Sequence, residues 1–181
     1  GSQFALVAFR GCSHWNVDGL RTESGDSKEN AGEHIYVSDT SSHLTFRRLL
    51  LSKVNRYSDA ALMKLRGAGH LVEECEFYEF FNAISTYHAS GVTLRRNYFN
   101  SRGISPIPEG YQPYAGLTRA VVLYGVERFL IENNIAEQGG MLASVDGRDH
   151  RLFGNVSLNQ KFGLLVASDH ETPTQNTTIS N

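Results

Sequence analysis

The chain has 181 residues, with 17 basic and 19 acidic side chains giving a formal charge of −2. That near-balance leaves no electrostatic footprint for nucleic acid or an acidic membrane surface, and no apolar run is long enough to cross a bilayer. The length is that of one domain.

Taken in chain order, a short phrase recurs, its members standing first, third, sixth and eighth, with an apolar residue always third. The copies are Trp15-Val17-Leu20-Thr22, Leu44-Phe46-Leu49-Leu51, His70-Val72-Cys75-Phe77, Val92-Leu94-Asn97-Phe99, Phe129-Ile131-Asn134-Ala136 and His150-Leu152-Asn155-Ser157, and Thr177-Ile179 begins another. A second apolar strand precedes each: Leu6-Ala8, Ile35-Val37, Ala61-Met63-Leu65, Ala83-Ser85-Tyr87, Ala120-Val122-Tyr124, Met141-Ala143-Val145 and Leu164-Val166. The alternation has period two, the strand signal. Units of this length, each with one apolar face, bury it only against their neighbours, which predicts a solenoid.

Polar segments separate the strands at Ser24 to Glu33, Asn55 to Asp59 and His170 to Gln175. The largest interruption, Asn100 to Thr118, holds three of the four prolines together with Tyr111 and Tyr114. Phe4 already reads as strand and Asn181 falls in mid-coil. The expectation is a single β-helix domain over 1–181, a segment of a longer parent or a chain whose uncapped ends meet a partner by end-to-end or trimeric self-association.

Two ladders fix the register. The fourth position of the phrase reads Asp18, Arg47, Glu73, Arg95, Glu132, an alternation of sign expected when equivalent residues stack. With Arg48, Glu74 and Arg96 these charges read as a solvent-exposed pairing ladder, in preference to a polyanion-binding patch. The sixth position reads Leu20, Leu49, Cys75, Asn97, Asn134, Asn155. Stacked asparagine amides can bond from coil to coil, so these residues read as structural and Cys75 as a small buried hydrophobe. Cys12 and Cys75 fall at different repeat positions, so no disulfide is expected between them and cysteine usage leaves the compartment open. His14, His43, His70 and His150 gather at the bend into the second strand without the paired short spacing of a zinc site.

Three strands per coil, Asn at one bend and branched residues inside resemble the pectate-lyase-like superfamily, and the resemblance covers essentially the whole chain. It implies an all-β, right-handed parallel β-helix of six to seven coils with three short strands each. It also implies a secreted protein, extracellular or periplasmic, that binds and cleaves a polysaccharide. In such proteins the substrate lies along the outer face of the first-strand sheet, flanked by loops. Tyr111 and Tyr114 thereby become sugar-stacking candidates, with pinning of the loop as the alternative.

With Ile35, Val37, Ala61, Met63 and Leu65 inward, the outward residues at the strand ends are expected to be Gly11, Thr40, Arg66, His88, Gly125, Asp146 and Asp169. The preceding outward column is expected to be Phe9, Ser38, Lys64, Thr86, Leu123, Ser144 and Ala167. A uronate lyase needs a base and cations that stabilise developing charge, which Lys64, Arg66 and His88 offer. A glycoside hydrolase would instead use Asp146 and Asp169, one coil apart. Under the lyase reading these two aspartates bind a different sugar unit, Asp146 standing about 14 Å from Arg66 at strand spacing. The polygalacturonase signatures are absent from the sequence. No cofactor is expected: a divalent cation such as calcium finds no dense carboxylate cluster. The remaining alternative is a non-catalytic stalk or adhesive β-helix, with these side chains as ordinary solvated residues.

Overall fold

The structure, a computed structural model, describes residues 5–23, 32–52, 61–101, 118–160, 163–166 and 174–180. The described residues contain strands and no helix, arranged in three parallel sheets whose strands stack in chain order. The chain visits the sheets in rotation, an arrangement that fits a parallel β-helix. The first sheet runs Ala5–Phe9, Glu33–Val37, Ala61–Ala68, Asn82–Ser90, Arg119–Tyr124, Met141–Val145 and Leu164–Val166, with Val126–Glu127 and Gly147–Arg148 as short extensions. The second sheet stacks Asn16–Asp18, Thr45–Arg47, Leu71–Glu73, Thr93–Arg95, Leu130–Glu132, Arg151–Phe153 and Thr178–Ser180. The third stacks Arg21–Glu23, Leu50–Ser52, Glu76–Tyr78, Tyr98–Asn100, Ile135–Gly139 and Val156–Gln160.

The phrase pairs with itself in the expected register. Val17, Phe46, Val72, Leu94, Ile131, Leu152 and Ile179 are successive lateral partners. Thr22, Leu51, Phe77, Phe99, Ala136 and Ser157 form the matching column of the third sheet. From Phe46 to Leu152 and from Leu51 to Ala136 these side chains are buried in one continuous core. Inside it the Phe77 and Phe99 rings stack with centroids 4.9 Å apart.

Sharp bends between such short strands require left-handed backbone. Before each second-sheet strand stands one residue at φ between 50° and 69°: His14, His43, Gly69, Gly91, Arg128, Asp149 and Asn176. After the strand stands another, at 52° to 71°: Gly19, Arg48, Glu74, Arg96, Asn133 and Gly154. A side chain here costs about 1–2 kcal/mol, offset by a backbone bond to the next coil, as from His43 N–H to the Ala68 carbonyl at 2.8 Å. Gly69 has a second constraint. A Cβ there would sit 2.8 Å from the His43 ring, which itself stacks on His14 at 4.9 Å.

Both ladders exist. Asp18, Arg47, Glu73, Arg95 and Glu132 are lateral partners in sequence. The expectation of solvent exposure fails at Glu73, whose side chain is 0 % exposed. Its carboxylate is roofed by arginines: Oε1 accepts from Arg47, and Oε2 accepts from Arg95 Nε at 2.8 Å and Arg96 Nη2 at 2.7 Å. Three guanidiniums converge because Arg96, at the left-handed bend, reaches back across its own strand end. Burial pushes the Glu73 carboxyl upward, but the bonds from Arg47 and Arg95 outweigh it and hold the group below the usual carboxylate range.

In the amide ladder, Asn134 Oδ1 accepts from both the backbone N–H and the Nδ2 of Asn97, at 2.9 and 3.0 Å. Asn155 Oδ1 does the same for Asn134, at 3.0 and 2.9 Å. Asn97 Oδ1 accepts from the Cys75 backbone N–H, and the Cys75 Sγ in turn faces the Leu49 N–H at 3.5 Å. Burial pushes the Cys75 thiol up to about 12, so it is an inert rung of the ladder.

Candidate functional site: the outer face of the first sheet

The outward side chains of the first sheet follow from its register. Lys64 pairs laterally with Tyr36 and Ser85, Ser85 with Val122, and Val122 with Ser144. The expected column containing Phe9, Thr86 and Leu123 is therefore corrected: these three belong to the core, with Thr86 and Leu123 fully buried. The cause is a β-bulge. Thr86 pairs with Leu65 and Ala89 with Gly67, so Tyr87 and His88 together oppose Arg66. His88 takes the extra place at φ 48°, and Gly125 does so in the next coil at φ 54°. Counting back from His88 or Gly125 as strand-end residues lands one position late. Ala61 is corrected too. It is buried outside the core cluster, whereas Leu62 and Met63, consecutive residues, both lie within it.

The row at the strand ends thus reads Arg66, then Tyr87 with His88, then Tyr124 with Gly125, then Asp146. Asp146 occupies a coil without the extra residue, where Gly147 closes the strand at φ 112°. A Cβ at Gly147 would lie 2.0 Å from the Val126 carbonyl, so only glycine permits this tight course.

The face is polar, aromatic and partly enclosed. Lys64 Nζ lies 3.3 Å from Glu33 Oε1, an ion pair between two largely covered side chains. Arg119 Nε donates to Asn82 Oδ1 at 2.9 Å, and its Nη1 donates to the Tyr124 hydroxyl at 3.2 Å. The Tyr87 and Tyr124 rings lie 4.8 Å apart with planes 32° from parallel, and His88 is exposed beside Tyr87. Asp146 is 3 % exposed, and among the described residues neither carboxylate oxygen has a hydrogen-bond partner. Arg66 is half-buried, with its Nε enclosed and likewise without a partner among the described residues. A carboxylate and a guanidinium nitrogen left unmatched inside a folded chain are costly, which singles out this row as the place on the face to test.

Two buried histidines support this row from the inside. His70 Nδ1 accepts the Leu44 N–H at 3.2 Å, and its Nε2 donates to the carbonyl of Arg66 at 2.8 Å. His150, four residues after Asp146 as His70 is after Arg66, accepts the Phe129 N–H at 3.3 Å. Burial lowers both imidazoles below the ordinary histidine range. Each is therefore neutral in the fold and gains a proton more readily when unfolded. Their stabilisation is complete above the unfolded pKa of about 6.5 and is lost as pH falls through the lower folded values. Urea unfolding between pH 8 and pH 5 is expected to show stability falling with acid, with a shallower slope in His70→Leu. A slope unchanged by that substitution would count against the buried, neutral ring.

The structure brings Lys64, Arg66 and His88 onto adjoining coils of one face and places Asp146 on the same face. Asp169, Tyr111 and Tyr114 lie outside the described residues, as does nearly all of the insertion at 100–118. Sequence reasoning missed Glu33, Asn82, Tyr87, Arg119 and Tyr124. The legible signal was a run of polar residues at strand starts, Glu33, Asn82 and Arg119, where an inward column should be apolar. Among the described residues no group of three or more His, Cys, Asp or Glu side chains is placed to hold a metal ion. No family model matches this chain, and no curated protein shows significant similarity to it.

Proposed function

We propose that the chain is a polysaccharide-binding member of the pectate-lyase-like superfamily, a right-handed β-helix of six to seven coils. It acts extracellularly or in the periplasm and takes a uronate-bearing glycan along the outer face of the first sheet. The observation that carries this reading is the Tyr87–Tyr124 ring pair set among Arg66, His88 and Arg119. Aromatic faces suit the C–H surface of a sugar ring, and guanidiniums suit its carboxylate.

The reaction that fits is β-elimination. His88, exposed at the bulge, takes the proton next to the carboxylate, an imidazole being the side chain suited to proton transfer near neutral pH. Arg66 stabilises the charge that develops on the carboxylate, with Lys64, oriented by Glu33, adding to the field. The glycosidic C–O bond on the adjacent carbon breaks as the double bond forms, and the leaving hydroxyl takes a proton from water. Asp146 and Asp169 are assigned to a neighbouring sugar unit, Asp146 from beneath the face, its carboxylate oxygens being enclosed.

The test is a screen of purified protein against uronate and neutral glycans, reading both unsaturated products and reducing ends. Unsaturated ends from a uronate polymer are expected, abolished by Arg66→Ala and Lys64→Ala. Asp169→Asn, tested alongside, is expected mainly to weaken binding. Reducing ends without unsaturation, lost on substituting Asp146 or Asp169, would make the protein a glycoside hydrolase. Neither product on any glycan, with no binding, would leave the non-catalytic stalk.

A further inference from the structure

The outer face of the third sheet carries a second aromatic platform, remote in the fold from the groove just described. There Glu76, Tyr98 and Ile135 are lateral partners in one column, and Tyr78, Asn100 and Glu137 in the next. The Tyr78 and Tyr98 rings lie on adjacent coils with centroids 5.8 Å apart and planes 58° from parallel. Each hydroxyl is committed to a carboxylate. Tyr78 donates to Glu76 Oε2 at 2.7 Å, and Tyr98 donates to Glu137 Oε2 at 2.6 Å while accepting from Asn100 Nδ2 at 3.0 Å. These bonds fix where both rings stand.

They also fix two carboxylates on this face, one oxygen of each accepting from a tyrosine hydroxyl. The charged groups acting on the two hydroxyls are Glu76 and Glu137, and both tyrosines are pushed above their ordinary range, Tyr78 chiefly by burial and Tyr98 chiefly by its bond to Glu137. Ile135, next in the Tyr98 column, is 42 % exposed and extends the platform with an aliphatic surface. The face therefore offers ring surfaces, hydrogen-bond acceptors and negative charge. An uncharged polyhydroxylated ring uses the first two and is not repelled by the third: its C–H face lies on the aromatics and its hydroxyls donate to the carboxylates. A uronate is repelled by the same carboxylates.

We propose that Tyr78 and Tyr98, with Glu76 and Glu137, form a binding surface for a neutral glycan, separate from the first-sheet groove and opposite to it in charge preference. The two surfaces would let one chain hold a neutral polymer while its groove meets an acidic one. The inference does not depend on catalysis at the groove.

The experiment is a titration of the whole chain with cellohexaose and with a galacturonate hexamer, followed by the amide resonances of Tyr78 and Tyr98 and by calorimetry. The neutral hexamer is expected to shift both resonances, and the uronate hexamer to leave them in place. Tyr98→Ala should weaken the neutral hexamer by roughly threefold to tenfold, and Tyr87→Ala in the groove should leave that affinity unchanged. Glu137→Lys, which keeps the ring, guards against a folding artefact and is expected to lower neutral binding as well. The proposal is overturned if saturating neutral hexamer moves neither resonance, or if the uronate binds the face equally well. It is overturned too if sedimentation shows the face buried between copies of the chain and Tyr98→Ala dissolves that association.

Discussion

Asn134→Leu is expected to destabilise the chain by about 3–5 kcal/mol, several buried polar groups losing their partner at about 1–3 kcal/mol each. Asn134 is fully buried, and its amide is the middle rung of the ladder. Its Oδ1 satisfies the Asn97 N–H and Nδ2, and its own Nδ2 donates to the Leu94 carbonyl at 2.9 Å. The Asn134 N–H would keep its own acceptor, Asn155 Oδ1 at 3.0 Å, as the Leu49 N–H keeps the Cys75 thiol. What leucine removes is the acceptor of the Asn97 N–H and Nδ2 and the donor to the Leu94 carbonyl, all in the buried interior. Asn155→Leu also removes an acceptor of the Asn134 N–H and Nδ2, but it should cost less because the rung is half-buried and its own Nδ2 bonds, to the Ile131 and Phe153 carbonyls, lie at a partly solvated edge. Urea unfolding of the two variants checks the ranking; equal losses, or less than about 1 kcal/mol at Asn134, would contradict a continuous amide ladder.

Glu73→Gln should be the most disruptive isosteric change on the second sheet, costing about 2 kcal/mol and more at low salt than at high. The value is below the 3–5 kcal/mol typical of a broken buried pair, because Arg95 and Arg96 are 34 % and 46 % exposed and water screens the guanidiniums left facing one another. The same carboxylate sets a pH window. Its folded pKa lies below the unfolded value, so its contribution is complete above about pH 4.3 and vanishes as pH falls through the folded value. That window lies below the one set by His70 and His150. Stability measured from pH 8 to pH 3 is expected to fall in two stages, the acid stage absent in Glu73→Gln. Arg95→Glu, which puts a carboxylate against Glu73, should be worse than Glu73→Gln and strongly relieved by salt.

How far the sequence could be read depended on which residues repeat. The inward columns through Val72 and Phe77, the charge alternation and the asparagine column all recur with fixed spacing inside each phrase, and the structure pairs them residue for residue. The first sheet was less legible because its strands end in bulges. One left-handed residue, His88 or Gly125, enters some coils and is replaced in others by Gly67 or Gly147 directly after the outward side chain. Spacing counted across that point slips by one, and a slip of one exchanges the faces of a strand, which is how Thr86 and Leu123 read as outward. Burial of Glu73 was illegible for another reason: it depends on Arg96 folding back from a bend, and no spacing rule reports a side chain's reach. Arg119 and Tyr124 escaped notice because they sit on a strand that also carries Val121, Val122 and Leu123, and apolar content alone classified it.

The central claim, that the outer face of the first sheet holds an acidic glycan, is tested most directly by a crystal structure of the chain with a uronate oligosaccharide. The expected result is a sugar ring against Tyr87 and Tyr124 and a carboxylate within hydrogen-bond distance of Arg66. An ordered oligosaccharide elsewhere on the solenoid, or a face left empty at saturating oligosaccharide, would contradict the account.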